Sequence, residues 1–293
     1  MERAEVHGRA MGSDLHIVVW ARSSADRLAE LAVRRVELLE LCWSRFRPDS
    51  ELNLLNARAG HGAVPVSDDL HRLVSTMLEA YSWSEGDVDA TVLGGMVAMG
   101  YDADFETIRA SPMSPSWERV PGQGMSRVGL GEGTVSLPRG IGLDPGAIGK
   151  GLAGDIVTEE IAAAGAHAVL VSIGGDVVTL GTPHDTGEWR ISLRDDRTAA
   201  REEIDVITLS GDGRAVATSS ILRRRWAARH HIIDPRSGSP VEGDVVQGTV
   251  VSDCGWRAEA GATVALVRGS TSAPWLAARG CTAHLLAGAP AHA

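Results

Sequence analysis

At 293 residues, 44% hydrophobic and 23% charged, the chain is long and apolar enough to bury a large core, which excludes a disordered or fibrous protein. A formal net charge of -10, with no basic run interleaved with aromatic residues, argues against a nucleic-acid partner. Length alone leaves open one large domain or two intimate lobes.

Cys42, Cys254 and Cys281 stand far apart with no C-x-x-C pair, which predicts buried free thiols rather than a disulfide framework or a zinc site. The first twenty residues mix charges with a short apolar run and carry no lipobox cysteine, and no stretch reaches transmembrane length. On those grounds the chain reads as cytoplasmic, with no membrane span. The triplet Arg223-Arg224-Arg225 reads as a solvated face.

In chain order, residues 14–21 predict a first strand, preceded by Met11-Gly12-Ser13 as a turn. Leu28, Ala32, Val36, Leu39 and Trp43 recur at helical spacing, so 25–45 predicts an amphipathic helix capped by Ser24 or Asp26. Ser50 caps a short helix reaching Asn56, and Ser67 starts another with Leu70, Leu73, Val74, Met77, Leu78 and Tyr81 on one stripe, stopping at Gly86. Residues 106–124, rich in Pro, Ser and Gly, read as a surface excursion of variable length.

Short strands are expected near 135–137 and 141–143, then a glycine-rich turn carrying Asp144 that opens a helix reaching about Ala164. The free N–H groups of such a helix entrance favour anions, so a phosphate-bearing ligand fits. A Walker A loop is excluded, because it requires Gly at Asp144 and Ser or Thr at Gly151. Residues 167–173 form an apolar strand ending at Gly174-Gly175-Asp176, a turn able to place a carboxylate at a site. Strands follow at 189–194, 203–209 and 248–252, and Trp256 begins a helix. Mixed elements without an internal repeat predict a compact α+β domain.

Two constellations carry chemistry. His230-His231 precedes Ile232-Ile233-Asp234-Pro235, and near-neutral titration suits His231 to moving protons or orienting a phosphate. Glu259 and Thr263, four apart on a helix, project oxygens from one face; such a pair suits Mg²⁺ but also makes an ordinary helix hydrogen bond.

Residues 144–155, Ser172 to Asp176, Ala217-Thr218-Ser219, His231 to Gly238 and Ala258 to Thr263 occur in the order of the ApbE-type FAD:protein FMN transferases. Met11-Gly12-Ser13, Ser50 to Asn56 and Gly86 to Val92 resemble that family's earlier blocks, so the resemblance spans nearly the whole chain. It implies one two-lobed α+β domain over 1–293, with mixed sheets and packed helices. FAD would lie in the cleft, with Mg²⁺ at its pyrophosphate. The metal would be held by Glu259, Thr263 and the carbonyl of Ala147. FAD contacts would fall on Met11, Phe46, Asp87, Val88, Asp89, Asp144, Lys150 and Ile233, and His231 would be the catalytic histidine.

Enzymes of this family attach FMN by a phosphoester bond to a Thr or Ser of an acceptor flavoprotein and release AMP. The chain departs from the family pattern at Glu259, usually Asp, at Phe46, usually an aromatic hydroxyl, at Ala90, usually Pro, and at Ser220, usually Gly. Two other activities are compatible with the same cleft: an FAD pyrophosphatase freeing FMN and AMP, and a non-catalytic flavin-binding protein.

Overall fold

A computed structural model of the protein describes residues 1–109, 117–122, 124–211, 213–226 and 229–288. Its centre is a seven-stranded antiparallel sheet in the order Glu2–Ala10, Ser13–Ala21, Ala166–Ile173, Asp176–Leu180, Arg214–Ser220, Val245–Ser252 and Thr282–Ala287. Alternation sends Ile17, Val19, Val169 and Val171 to one face and Val18, Trp20, Leu170 and Val177 to the other. The first face is covered by the helices Ala25–Trp43, Gly149–Ala163 and Gly255–Arg268, the second by the hairpin Trp189–Arg194 with Glu203–Leu209. Burial on both faces is why residues 168–171 read as an unbroken apolar run rather than an alternating one.

The expected helices form at Ala25–Trp43, Glu51–Ala57 and Asp68–Trp83. Ser50 and Ser67 cap as predicted, their hydroxyls accepting from Asn53 N–H at 3.1 Å and Leu70 N–H at 3.2 Å. Ser24 does not. It sits at φ 63° with no side-chain cap, and the Glu2 carboxylate accepts from Ala25 N–H instead, at 3.2 Å.

Residues 141–143 are not a strand. Asn56 occupies the pairing position there, its Oδ1 accepting from Leu143 N–H at 2.8 Å and its Nδ2 donating to the Leu143 carbonyl at 3.1 Å. Strands Ala63–Pro65, Thr134–Ser136 and Gly129–Gly131 form a small separate sheet.

The expected excursion begins inside a helix, Phe105–Arg109, and residues 110–116 and 123 lie outside the described residues. Its described end is tied down, with Gly122 N–H donating to the Pro235 carbonyl at 2.8 Å and Gly124 N–H to Asp89 Oδ2 at 3.0 Å. A second apolar cluster, containing Met96, Met99, Tyr101, Ile108, Trp226 and Ile233, lies apart from the main core. Among the described residues no helix is long and apolar enough to cross a membrane.

Candidate functional site

The Gly149–Ala163 and Gly255–Arg268 helices meet at their entrances, where neither tolerates a side chain. A Cβ on Gly151 would stand 2.3 Å from the Gly255 carbonyl oxygen, and one on Gly255 would stand 2.2 Å from that of Gly151. At this crossing each helix caps the other. Asp155 accepts from Gly255 N–H at 2.6 Å and Trp256 N–H at 3.0 Å, while Glu259 Oε2 accepts from Gly151 N–H at 2.8 Å. Burial pushes the Asp155 carboxyl up to about 6, against the pull of those two N–H groups.

Lys150 completes the arrangement. Its ammonium donates to Glu259 Oε1 at 2.6 Å and to Asp176 Oδ2, and Asp176 Oδ1 accepts from Thr218 N–H at 3.1 Å. Both carboxylates are buried. Burial opposes the Lys150 charge, but Asp176 and Glu259 override it and hold the ammonium above the ordinary lysine range. Burial also pushes the Glu259 carboxyl up to about 7, against the attraction of Lys150. When Glu259 is ionised, two carboxylates share one ammonium, so the trio then holds an excess negative charge that a further cation would offset. Thr263, one turn along from Glu259, donates its hydroxyl to the Glu259 carbonyl at 3.4 Å. Ala147 lies in the turn at the same helix entrance, just ahead of Ile148.

A second buried pair lies beside this entrance. Arg45 Nε is 3.0 Å from Asp144 Oδ2, Arg45 Nη1 donates to the Tyr101 carbonyl at 2.7 Å, and Asp144 Oδ1 accepts from Gly146 N–H at 2.7 Å. The Nε contact is an ion pair without hydrogen-bond alignment. Among the described residues Arg45 Nη2 and Asp144 Oδ2 therefore have no hydrogen-bond partner, which leaves a donor and an acceptor side by side.

The two histidines separate sharply. His230 is buried, with Nε2 3.0 Å from the Val241 carbonyl and Nδ1 accepting from Ile232 N–H at 3.3 Å, so both ring nitrogens serve the fold. Burial pushes its pKa down, against that carbonyl contact. His231 Nδ1 is buried with no hydrogen-bond partner among the described residues. Burial, reinforced by the positive charges of Arg224, Lys150 and Arg45, holds the His231 imidazole well below its ordinary pKa, so it is neutral at pH 7.

The sequence pattern of the ApbE family matches residues 11–285. The chain belongs to the ApbE family. A Rhodobacter capsulatus protein named FAD:protein FMN transferase is 32% identical over 244 residues, which are 81% of this chain and 46% of that protein. The chain thus spans about half the length of that relative. A Klebsiella pneumoniae protein of the same name is 28% identical over 83% of this chain and 75% of its own length. In fold, the chain is similar to the ApbE protein of Thermotoga maritima, with a TM-score of 0.86 at 23% identity, covering 98% of this chain and 94% of that one.

Other positions singled out by the ApbE resemblance are dispersed. Asp87 is buried between Arg236, 2.6 Å from its Oδ1, and Arg268. Asp89 accepts from Thr91 N–H at 2.8 Å and from Gly124 N–H, and Val88 lies in the main core. Those side chains make their contacts within the fold. Ile233 packs in the Met96 cluster. Phe46 is 40% exposed, its ring centroid 4.0 Å from the Arg45 guanidinium carbon. Met11 and Gly12 form the expected turn at φ 51° and 66°, a left-handed conformation that costs a non-glycine residue roughly 1 kcal/mol or more.

Sequence reasoning missed Arg45 and Arg224. Arg224 belongs to the triplet read as a solvated face, but it is half-buried and donates to Ser13 Oγ at 3.1 Å, while Arg223 and Arg225 are exposed. The cysteines are unpaired as expected, although only Cys281 is fully buried.

Proposed function

We propose that this chain is a Mg²⁺-dependent FAD:protein FMN transferase that splits the FAD pyrophosphate, releases AMP and joins FMN through a phosphoester bond to a Thr or Ser hydroxyl of an acceptor flavoprotein. Membership of the ApbE family and the names of the relatives support the reaction class. The family match over 11–285 supports treating the chain as one catalytic unit.

The observation that carries the reading is His231, a neutral imidazole whose buried Nδ1 has no hydrogen-bond partner among the described residues and which feels three cationic side chains. A dianionic pyrophosphate bound near Arg224, Lys150 and Arg45 offsets their charge and raises the His231 pKa. The histidine thus becomes a stronger base only with FAD in place, and it then takes the proton of the acceptor hydroxyl as that oxygen attacks phosphorus. Arg45 Nη2 and Asp144 Oδ2 suit a heteroaromatic edge that offers one acceptor and one donor, as both ring systems of FAD do.

The donor set suits Mg²⁺. Glu259, Thr263 and the Ala147 carbonyl offer hard oxygens, and the excess negative charge of the Lys150 trio calls for a cation. The chemistry such an ion supplies is neutralisation of charge on the phosphate oxygens. Glu259, one methylene longer than the usual family Asp, also reaches Gly151 N–H, which ties the ligand to the helix entrance.

The test is AMP release from FAD in the presence of Mg²⁺ and an acceptor flavoprotein, followed by chromatography, together with FAD affinity. His231→Ala should slow release by about 10² to 10⁴-fold, typical of a general base, with little change in affinity. Release at the parental rate would remove His231 from the chemistry.

A further inference from the structure

The first hairpin of the sheet presents a cluster that the proposed transfer does not use. His7 and His16 stand directly opposite each other in the Glu2–Ala10 and Ser13–Ala21 register, their rings stacked at 4.3 Å and 6°. Glu5 precedes His7 by two residues and so shares its face of the strand. Glu5 Oε1 lies 2.7 Å from His16 Nε2 and 3.4 Å from His7 Nε2, and the three potential ligand atoms all fall within 4.8 Å of one another. Arg3 Nη2 donates to the other carboxylate oxygen at 2.7 Å, which fixes the direction in which Glu5 points. The His7 side chain is 70% exposed, so the cluster opens to solvent.

We propose that Glu5, His7 and His16 form a surface site for a divalent transition metal, with Zn²⁺ the best fit and water completing the coordination. Two imidazoles and a carboxylate with one open position form a zinc ligand set. Ligands about 2.0–2.2 Å from a tetrahedral ion lie roughly 3.3–3.6 Å apart. The His7–Glu5 separation of 3.4 Å already meets this, and the His16–Glu5 pair has to open by under about 1 Å. The paired strands hold the backbone so that side-chain rotation alone supplies the change. Imidazole nitrogen favours Zn²⁺, Cu²⁺, Ni²⁺ or Co²⁺ over Mg²⁺, so this site and the oxygen-lined Glu259 entrance select different ions. A bound ion would fasten the sheet's edge strand to its neighbour near the Met11-Gly12 turn, beyond which Ser13 meets Arg224.

The test is titration of the full chain with Zn²⁺ by calorimetry, and with Co²⁺ by visible absorption, in excess Mg²⁺ so that hard-oxygen sites are filled. One equivalent should bind and raise the thermal midpoint. His7→Ala and His16→Ala should each weaken binding by at least about tenfold while leaving the midpoint without Zn²⁺ within a few degrees, and Glu259→Gln should leave Zn²⁺ binding unchanged. The more conservative His7→Gln and His16→Gln give the same reading should either Ala variant fold poorly. No saturable binding, parental binding in either histidine variant, or loss of binding in Glu259→Gln would each overturn the assignment.

Discussion

Replacing Glu259 by Gln should remove the pH dependence that this one carboxylate imposes on stability. In the fold its pKa is raised from 4.5 to about 7, a difference of about 2.5 units, or about 3 kcal/mol at 1.36 kcal/mol per unit. The raised value favours the neutral acid. Below pH 4.5 the group is protonated both folded and unfolded and carries no penalty. As pH rises towards 7 the unfolded chain releases the proton first, and stability falls until the full amount is lost above about 7. Gln keeps the shape and can still accept from Gly151 N–H, but it has no charge to bury. Parental stability minus that of Glu259→Gln should therefore fall by about 3 kcal/mol between pH 4.5 and 7. Asp155, pushed up to about 6, titrates in the same window in both proteins and cancels in the difference. The assay is urea unfolding across a pH series without Mg²⁺, and adding Mg²⁺ should flatten the difference by favouring the ionised carboxylate. A difference that stays level or rises through that window would refute the buried-charge argument.

Two further outcomes follow from the same geometry. Gly151→Ala places a methyl 2.3 Å from the Gly255 carbonyl oxygen, so the two helix entrances must part, at a cost of about 1–3 kcal/mol or more in unfolding free energy and with weaker AMP release; parental stability and turnover would show that the crossing is loose. Because His231 is neutral well below pH 6.5 in the free protein, kcat/KM at saturating Mg²⁺ should stay level from pH 8 down to 6.5, whereas the acid limb of kcat should lie at higher pH once FAD is bound. An acid limb of kcat/KM centred at 6.5 would mean that His231 is not shielded as described.

What the sequence made legible was local. Ser50 and Ser67 cap helices whose N–H groups lie three residues away, so their roles could be read from the chain itself, whereas the Ala25–Trp43 entrance is served by Glu2, which no local pattern announces. Residues 141–143 have a strand's composition, but Asn56 satisfies Leu143 through a side chain 87 positions away. The Glu2–Ala10 strand escaped notice because an edge strand with charged side chains in solvent lacks apolar alternation. At the site, Lys150 and Glu259 were each singled out, but the ammonium that joins them to Asp176 spans 26 and 109 positions of sequence. Arg45 and Arg224 carry no motif, and their burial follows only from the packing of distant segments. Neighbouring histidines were separable on the family pattern alone; the physical difference is that the Val241 carbonyl reaches His230 and no described group reaches His231 Nδ1.

Transfer of FMN from FAD to a protein hydroxyl can be followed directly by incubating the protein with FAD, Mg²⁺ and a candidate acceptor flavoprotein. AMP is counted by chromatography, and acceptor-bound FMN by mass spectrometry. A transferase should yield one AMP for each FMN attached to a Thr or Ser, with little AMP and no accumulation of free FMN when the acceptor is omitted. AMP and free FMN appearing at the same rate without acceptor would make the protein a pyrophosphatase, and an FAD-loaded protein that releases no AMP with any acceptor would make it a flavin carrier.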